Sequence, residues 1–251
     1  MDDSHTQRSR SFGAVADDYR RARPGYPAAA VEWALRSAPG REVLDLAAGT
    51  GKLTEAIVAA GGTVTAVEPL EGMRRELGVA VPGVTILDGT AEQIPLADEA
   101  VDAVLVGQAF HWFDQDAALD EIARVLRPRG IVALIWNLRD ESEPWARRLS
   151  EILTSVDVVS AGIDPESAVL AAHPRFIDVE HDRWPNPVPF DRERLVTWAR
   201  STSLLATMEP SAADRLLAEV AELAETHADL AGRATFPLPY VTLAVRARLR
   251  G

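Results

Sequence analysis

Residues 43–54 read Val43-Leu44-Asp45-Leu46-Ala47-Ala48-Gly49-Thr50-Gly51-Lys52-Leu53-Thr54. Val43, Leu44 and Leu46 suit a buried strand, with an acid near its end. Ala47, Ala48, Gly49 and Gly51 make a turn of tiny residues, in which backbone can approach a ligand closely. Leu53, Ile57 and Val58 suit the inner face of a following helix. A strand, a small-residue turn and a helix form the usual entrance to a nucleotide-type pocket in an α/β sheet.

The same rhythm continues outward. Strands are predicted at 42–46, 63–68, 84–88, 101–107 and 131–136, with helical patterns in most of the gaps. The clearest helix is 115–127, where Leu119, Ile122, Ala123 and Leu126 recur at helical spacing. Asp114 is its N-cap candidate and Pro128 its stop. The run Ile131-Val132-Ala133-Leu134-Ile135-Trp136 is apolar throughout, as a central strand covered on both faces should be. Strands alternating with helices predict an α/β fold with a doubly wound, right-handed parallel sheet. Such sheets bind ligands at the carboxyl ends of their strands.

The residues just past each strand are therefore the candidates. After the first come Asp45 and the Ala/Gly turn. After the second comes Glu68, 23 positions beyond Asp45, followed by Pro69. An acid there can accept hydrogen bonds from both ribose hydroxyls of an adenosine. After the third comes Asp88-Gly89-Thr90-Ala91-Glu92, polar groups suited to an adenine edge. After the fourth comes Gly107-Gln108-Ala109-Phe110-His111-Trp112-Phe113, small residues followed by aromatics and one imidazole.

Two Gly-rich alternatives bear on the turn. A phosphate-binding P-loop needs Gly where Leu46 stands and Ser or Thr where Leu53 stands, so it is rejected. A dinucleotide fingerprint finds two glycines, Gly49 and Gly51, but Thr54 replaces the third. Its pyrophosphate would also meet Asp45 at the strand end, which is electrostatically unfavourable. A cofactor with a sulfonium, an ammonium and no phosphate tolerates that acid. S-adenosylmethionine (SAM) is such a cofactor.

The whole chain narrows the classes further. It has 251 residues, 47% hydrophobic and 25% charged, which fits a globular protein with one large α/β domain or a domain bearing a cap. A net charge of −12 and a sequence pI near 4.9 argue against a nucleic-acid partner, which requires an exposed basic face. The absence of cysteine excludes disulfides, thiol catalysis and thiolate metal sites. His5, His173, His181 and His227 show no paired metal-ligand spacing, so no metal is expected. No apolar run reaches the roughly 18 residues of a membrane span. Residues 1–10 are polar and lack a signal-peptide apolar region, so the expected location is cytoplasmic.

The flanks read less clearly. Residues 1–11 are expected to be a disordered tail, and 12–251 one domain with lid helices at 12–40, a cofactor-binding core at 41–137 and terminal strands with a substrate cap at 138–251. Phe12 to Tyr26 mixes aromatics and arginines. It reads either as a helix packed on the sheet edge or as a lid whose aromatics and Arg23 close over a cofactor carboxylate, which arginine's planar fork binds bidentately. A helix is predicted at 28–37. Beyond 137, helices are predicted at 144–155, 191–201 and 211–230, the last with a Ser211–Asp214 capping box. Asp164 before Pro165 resembles an N-cap. Strands are expected at 176–184 and 240–246, with Pro185, Pro187 and Pro189 breaking the first. Trp198, Ser201 and Ser203 read either as substrate-pocket wall or as core and helix end.

Five segments taken in order resemble a known family: Asp45 to Gly51, Thr65 to Pro69, Gly89 to Leu96, Gln108 to Phe113 and Arg124 to Gly130. They are similar to the class I SAM-dependent methyltransferases, over about residues 12–137. The closest likeness is to the small-molecule type 11 group that includes trans-aconitate-methyltransferase-like proteins. The resemblance implies a Rossmann-like, seven-stranded, mostly parallel sheet with the last strand antiparallel, helices on both faces and a helical cap. It implies that SAM is bound and S-adenosylhomocysteine released. Asp45, Ala47, Gly49 and Gly51 would hold the methionine part, with Tyr19 and Arg23 over it. Glu68, Pro69 and Met73 would lie at the ribose, and Thr90, Ala91 and Glu92 at the adenine. Gln108, Ala109 and Phe110 would line the cofactor near its methyl group. His111, Trp112, Trp198 and Ser201 would face the acceptor. One departure is Ala47, where the family's loop usually begins with glycine. Its methyl group demands a negative φ or slight strain.

The expected activity is methylation of a small-molecule acceptor, most simply at a carboxylate or hydroxyl oxygen. His111 stands where a general base would act, or where a pocket wall would lie; a carboxylate acceptor needs no base. Two other readings remain: a non-catalytic SAM-binding regulator and an NAD-dependent oxidoreductase. Oligomeric state is not legible.

Overall fold

Parallel strands form where the apolar runs predict them. The structure, a computed structural model, describes residues 23–153, 165–206 and 208–251. The expected tail at 1–11, the lid stretch as far as residue 22 (Tyr19 included) and the expected cap Asp164 lie outside the described residues. The described chain forms two compact units. A sheet unit takes 25–137, 165–184 and 242–251, and a second unit takes 23–24, 138–153, 185–206 and 208–241.

The sheet unit begins with helix α1 (Ala28–Leu35). It continues with β1 (Glu42–Leu46), α2 (Lys52–Ala59), β2 (Thr63–Val67), α3 (Glu71–Ala80), β3 (Thr85–Leu87) and β4 (Val101–Gly107). A 3-10 turn (Phe110–Trp112), α4 (Gln115–Val125) and β5 (Leu126–Arg139) follow. Helix α6 (Pro165–Ala172), β6 (Phe176–Pro185) and β9 (Tyr240–Leu249) complete the seven-stranded sheet, ordered β3-β2-β1-β4-β5-β9-β6. β1 pairs in parallel with β2 and β4, β2 with β3, and β4 with β5. The last strand, β9, is antiparallel. Strand order reverses between β1 and β4, and the crevice outside their carboxyl ends is where such sheets bind ligands.

The core follows from the apolar strands. Val43, Ala103, Leu105, Ile131, Ala133 and Ile135 pack with Trp33, Leu35, Leu53 and Ile57. Each fully buried Leu or Ile contributes about 1.5–3 kcal/mol. At the far edge Trp33 meets Trp184 edge-on at 5.6 Å, and the Arg246 guanidinium lies 4.2 Å over the Trp33 ring. Arg246 also donates to the Trp33 carbonyl and, from Nε, to Glu180 at 2.9 Å.

The second unit holds α5 (Pro144–Leu153), α7 (Arg192–Arg200), α8 (Ser203–Ala206) and α9 (Pro210–Thr226). Its core includes Trp145 edge-on to Phe236 at 5.5 Å and Phe190 edge-on to Trp198 at 6.3 Å. Asp191 caps α7, accepting from the Arg194 amide at 2.7 Å.

Several boundaries differ from expectation, each for a local reason. The helix expected at 115–127 ends at Val125, because Pro128 drives the preceding residues into extended backbone. Leu126 (φ −74°, ψ 134°) already pairs with Val101, with an irregularity before the pairing of Ala103 with Ile131. The capping box at Ser211 is not used. Pro210 opens α9 one residue earlier, behind Glu209, and the helix stops at Thr226 rather than at 230. The proline-rich stretch was expected only to break β6. It also builds β7 (Val188–Phe190), antiparallel to β8 (Phe236–Leu238), with Pro189 opposite Pro237. A proline pair fits because alternate antiparallel positions need no ladder N–H.

Candidate functional site

The turn after β1 is built from left-handed backbone. Ala47, Gly49 and Gly51 have φ of 57°, 56° and 88°. Glycine accepts this conformation freely, whereas at Ala47 it costs about 1–2 kcal/mol. The strain expected at Ala47 is thus present. Gly51 is fixed by space as well: a Cβ there would stand 3.0 Å from Leu77 on α3. The Ala48 amide donates to the Val67 carbonyl at 3.1 Å, which pins the turn to the end of β2.

Asp45 is 1% exposed. Its Oδ2 accepts from the Thr54 hydroxyl at 2.5 Å, and its Oδ1 has no hydrogen-bond partner among the described residues. Burial pushes its pKa up to about 7; the Thr54 hydrogen bond opposes this and the nearby Glu68 charge adds to it. Thr54, which stands in the third glycine position of a dinucleotide fingerprint, is thus the partner that orients the acid.

Glu68, 5% exposed, closes on the turn. Its Oε2 accepts from the Gly49 amide and its Oε1 from the Leu70 amide, both at 2.9 Å. Burial raises its pKa, opposed by those two amides and by Arg74. Each carboxylate oxygen keeps a second lone pair for a ligand hydroxyl. Arg74 donates to the Glu68 carbonyl at 2.8 Å and to Asp88 at 3.2 Å. Pro69 is exposed, while Met73 is 4% exposed and points into the core.

After β3, Thr90 bridges Gln93, Ala91 is buried, and Glu92 accepts from the Asp114 amide at 3.0 Å. After β4, Gln108 also takes left-handed backbone, with φ of 59°. Its amide nitrogen donates to the Ile135 carbonyl at 2.9 Å, and its Nε2 to the Asn137 carbonyl at 2.9 Å. Ala109 is half-buried. Phe110 has no exposed surface and packs edge-on to Phe113 at 5.8 Å, so its ring is core and only its backbone can face a ligand. His111 and Trp112 are exposed, with ring centroids 4.8 Å apart.

Among the described residues, three of the expected site residues belong to the second unit. Arg23 lies in the second unit and donates to the Ser201 carbonyl at 3.3 Å. Trp198 is 1% exposed in that unit's core, with the Arg139 guanidinium 5.2 Å from its ring. The Ser201 hydroxyl donates to the Trp198 carbonyl at 2.7 Å, closing α7. Trp198 is thus part of that unit's core, and Ser201 ends α7.

Tyr26, the last aromatic of the expected lid stretch, has its hydroxyl where a Cβ on Gly107 would be only 2.5 Å away, so glycine at the end of β4 admits the phenol. Sequence reasoning missed two side chains, Thr54 and Asn137, the latter 3% exposed at the end of the apolar run of β5. A buried amide just after an apolar strand was the available signal.

Together these groups form a cradle of left-handed backbone, two buried carboxylates and an amide at the carboxyl ends of β1, β2 and β4. The unpartnered Asp45 Oδ1 suits a cation's N–H and is wrong for a pyrophosphate. An S-adenosyl sulfonium cofactor with an ammonium and a ribose diol fits these residues.

Known proteins agree with that geometry. A methyltransferase domain model matches residues 44–134. An uncharacterized methyltransferase of Mycobacterium tuberculosis is 42% identical over 248 residues, 98% of each chain. A malonyl-[acyl-carrier protein] O-methyltransferase of Methylococcus capsulatus is 43% identical over 101 residues, covering 38% of this chain and 37% of that one. A solved structure from Anaeromyxobacter dehalogenans, proposed to be a type II methyltransferase, superposes with a TM-score of 0.67 at 23% identity over 91% of this chain and 97% of that one.

Proposed function

The chain belongs to the class I SAM-dependent methyltransferases, and from that premise we propose that it methylates an oxygen of a small-molecule acceptor, a carboxylate or a hydroxyl. The observation that carries the cofactor end is the buried Asp45 carboxylate with its one open oxygen beside the left-handed turn. In this reading Asp45 and the turn through Gly51 hold the aminoacyl part, and the Glu68 lone pairs take the ribose diol. Thr90, Ala91 and the Glu92 backbone flank the base, and Gln108 with Ala109 lies beside the methyl end. Bound there, SAM supplies a methyl group on a positively charged sulfur that leaves as a neutral thioether.

The chain's own task is then positioning and exclusion of water. The acceptor end is supported by likeness. The partly matching relative from Methylococcus capsulatus is named for O-methylation of a malonyl group. A carboxylate acceptor is already a nucleophile and needs no base; for a hydroxyl acceptor the exposed His111 is the candidate to take the proton.

The test is methyl transfer from radiolabelled SAM to a panel of small carboxylates, phenols and amines, followed by mild base. Methyl esters release volatile methanol, whereas ethers and amines do not. Incorporation into carboxylates or hydroxyls is expected. Label found only on amines would overturn the O-methylation reading. SAM binding without turnover on any acceptor would instead favour a non-catalytic SAM-binding regulator.

A further inference from the structure

Asn137 makes two side-chain hydrogen bonds inside the sheet unit. Its Nδ2 donates to the Gly25 carbonyl at 3.1 Å, and its Oδ1 accepts from the Thr242 hydroxyl at 2.5 Å. Its main-chain carbonyl accepts from Gln108 Nε2 at 2.9 Å. Thr242 has no exposed surface. Gly25 precedes Tyr26, whose hydroxyl rests against the α-carbon of Gly107, the residue before Gln108. Asn137 therefore links the segment entering α1 and the antiparallel strand β9 through its side-chain amide, and the end of β4 through its main-chain carbonyl.

We propose that Asn137 is a positioning residue for the methyl end of the cofactor site, holding the Gln108 amide and the Gly25–Tyr26 segment in fixed places beside Gly107. This rests on the methyltransferase reading above. The orientation of the Asn137 amide is determined by chemistry. The Gly25 carbonyl can only accept, so Nδ2 must face it; the Thr242 hydroxyl can then donate to Oδ1. A flipped amide would set two carbonyl oxygens against each other. An aspartate at 137 would do the same at every rotamer, with a full negative charge, while keeping the volume of the side chain. Gln108 needs such support because its left-handed backbone is disfavoured and would otherwise relax. Asn137 acts through Gln108 and Tyr26 and is not itself a reacting group.

The experiment compares wild type with Asn137→Asp, Thr242→Val and Thr242→Ser. In ligand-free protein, amide hydrogen exchange is followed in the peptide covering 23–30. Calorimetry then measures binding of SAM and of adenosine, and NMR records the methyl resonance of bound 13C-methyl SAM. Asn137→Asp should speed exchange in that peptide, weaken SAM about tenfold and shift the methyl resonance, while adenosine affinity stays within about twofold. Thr242→Val should move the same readouts less, and Thr242→Ser should restore them. Unchanged exchange and an unmoved resonance in a folded Asn137→Asp would overturn the proposal. So would loss of adenosine and SAM affinity in equal measure, since that marks a general structural defect. A wild-type protein that fails to bind SAM would overturn the functional reading as well, and is distinguishable by its wild-type baseline.

Discussion

Replacing Asp45 by asparagine should stabilise the ligand-free protein at alkaline pH and destabilise it by about 1–3 kcal/mol in acid. The folded state raises the Asp45 pKa from 3.8 to about 7. The folded protein thus binds a proton that the unfolded chain releases. By linkage, stability falls as pH rises between those values, and the full penalty applies above about 7. Below about 4 both states are protonated and the group contributes nothing. The gap corresponds to about 4 kcal/mol at most. Asparagine keeps the acceptor for the Thr54 hydroxyl, but it places a donor where Oδ1 has no partner, which costs about 1–3 kcal/mol. The net gain at pH 8 is about 2 kcal/mol, or about 4–8 °C in unfolding midpoint for a chain of this size. Thermal unfolding of both proteins at pH 5, 6, 7 and 8 without ligand provides the measurement. A difference that does not change with pH would refute the account of Asp45 as a buried acid with an open valence.

The same residue sets the pH dependence of cofactor binding. SAM affinity should rise about tenfold per pH unit below about 7 and level off above it, and calorimetry of Asp45→Asn should show weak binding at every pH. At the turn, Ala47→Gly should leave stability unchanged or raise it by under about 1 kcal/mol, whereas Ala47→Val should lower it by more than about 1 kcal/mol, read by urea denaturation. Gly107→Ala should weaken SAM binding by driving the Tyr26 hydroxyl away. Adding Tyr26→Phe, which removes the colliding oxygen, should recover part of the loss; no recovery in the double variant would refute the contact.

The sheet was legible because its central parallel strands, β4 above all, are buried along nearly their whole length and read as largely apolar runs. The turn was legible because Asp45, Gly49 and Gly51 lie within one seven-residue stretch. What stayed hidden depends on pairing across distance or on local competition. Thr54 looked like a defect in a glycine pattern, since nothing in the residue order says that its hydroxyl meets Asp45. Glu68 was expected to wait for a ribose, yet two backbone amides already hold it. Trp198 and Ser201 could be read two ways because a helix end offers the same residue types to a core and to a pocket. The Pro210 start displaced a capping box that Ser211 and Asp214 could equally have made. Asn137 was marked only by its place after an apolar run, and its partners could not be read because they are far off in the chain.

That last point bears on how the protein is made. The bonds from Asn137 to Gly25 and to Thr242 span 112 and 105 residues. Closing a loop of that length costs about 4 kcal/mol of chain entropy before any contact rewards it. The short hydrogen bond between Asp45 and Thr54 spans only nine residues and can form while most of the chain is still disordered. On the proposed assignment, the aminoacyl end of the site can thus form early in folding, and the methyl end is assembled only when the segment entering α1, the end of β5 and β9 have met. A chain stalled part-way would be able to grip a cofactor before it can aim one.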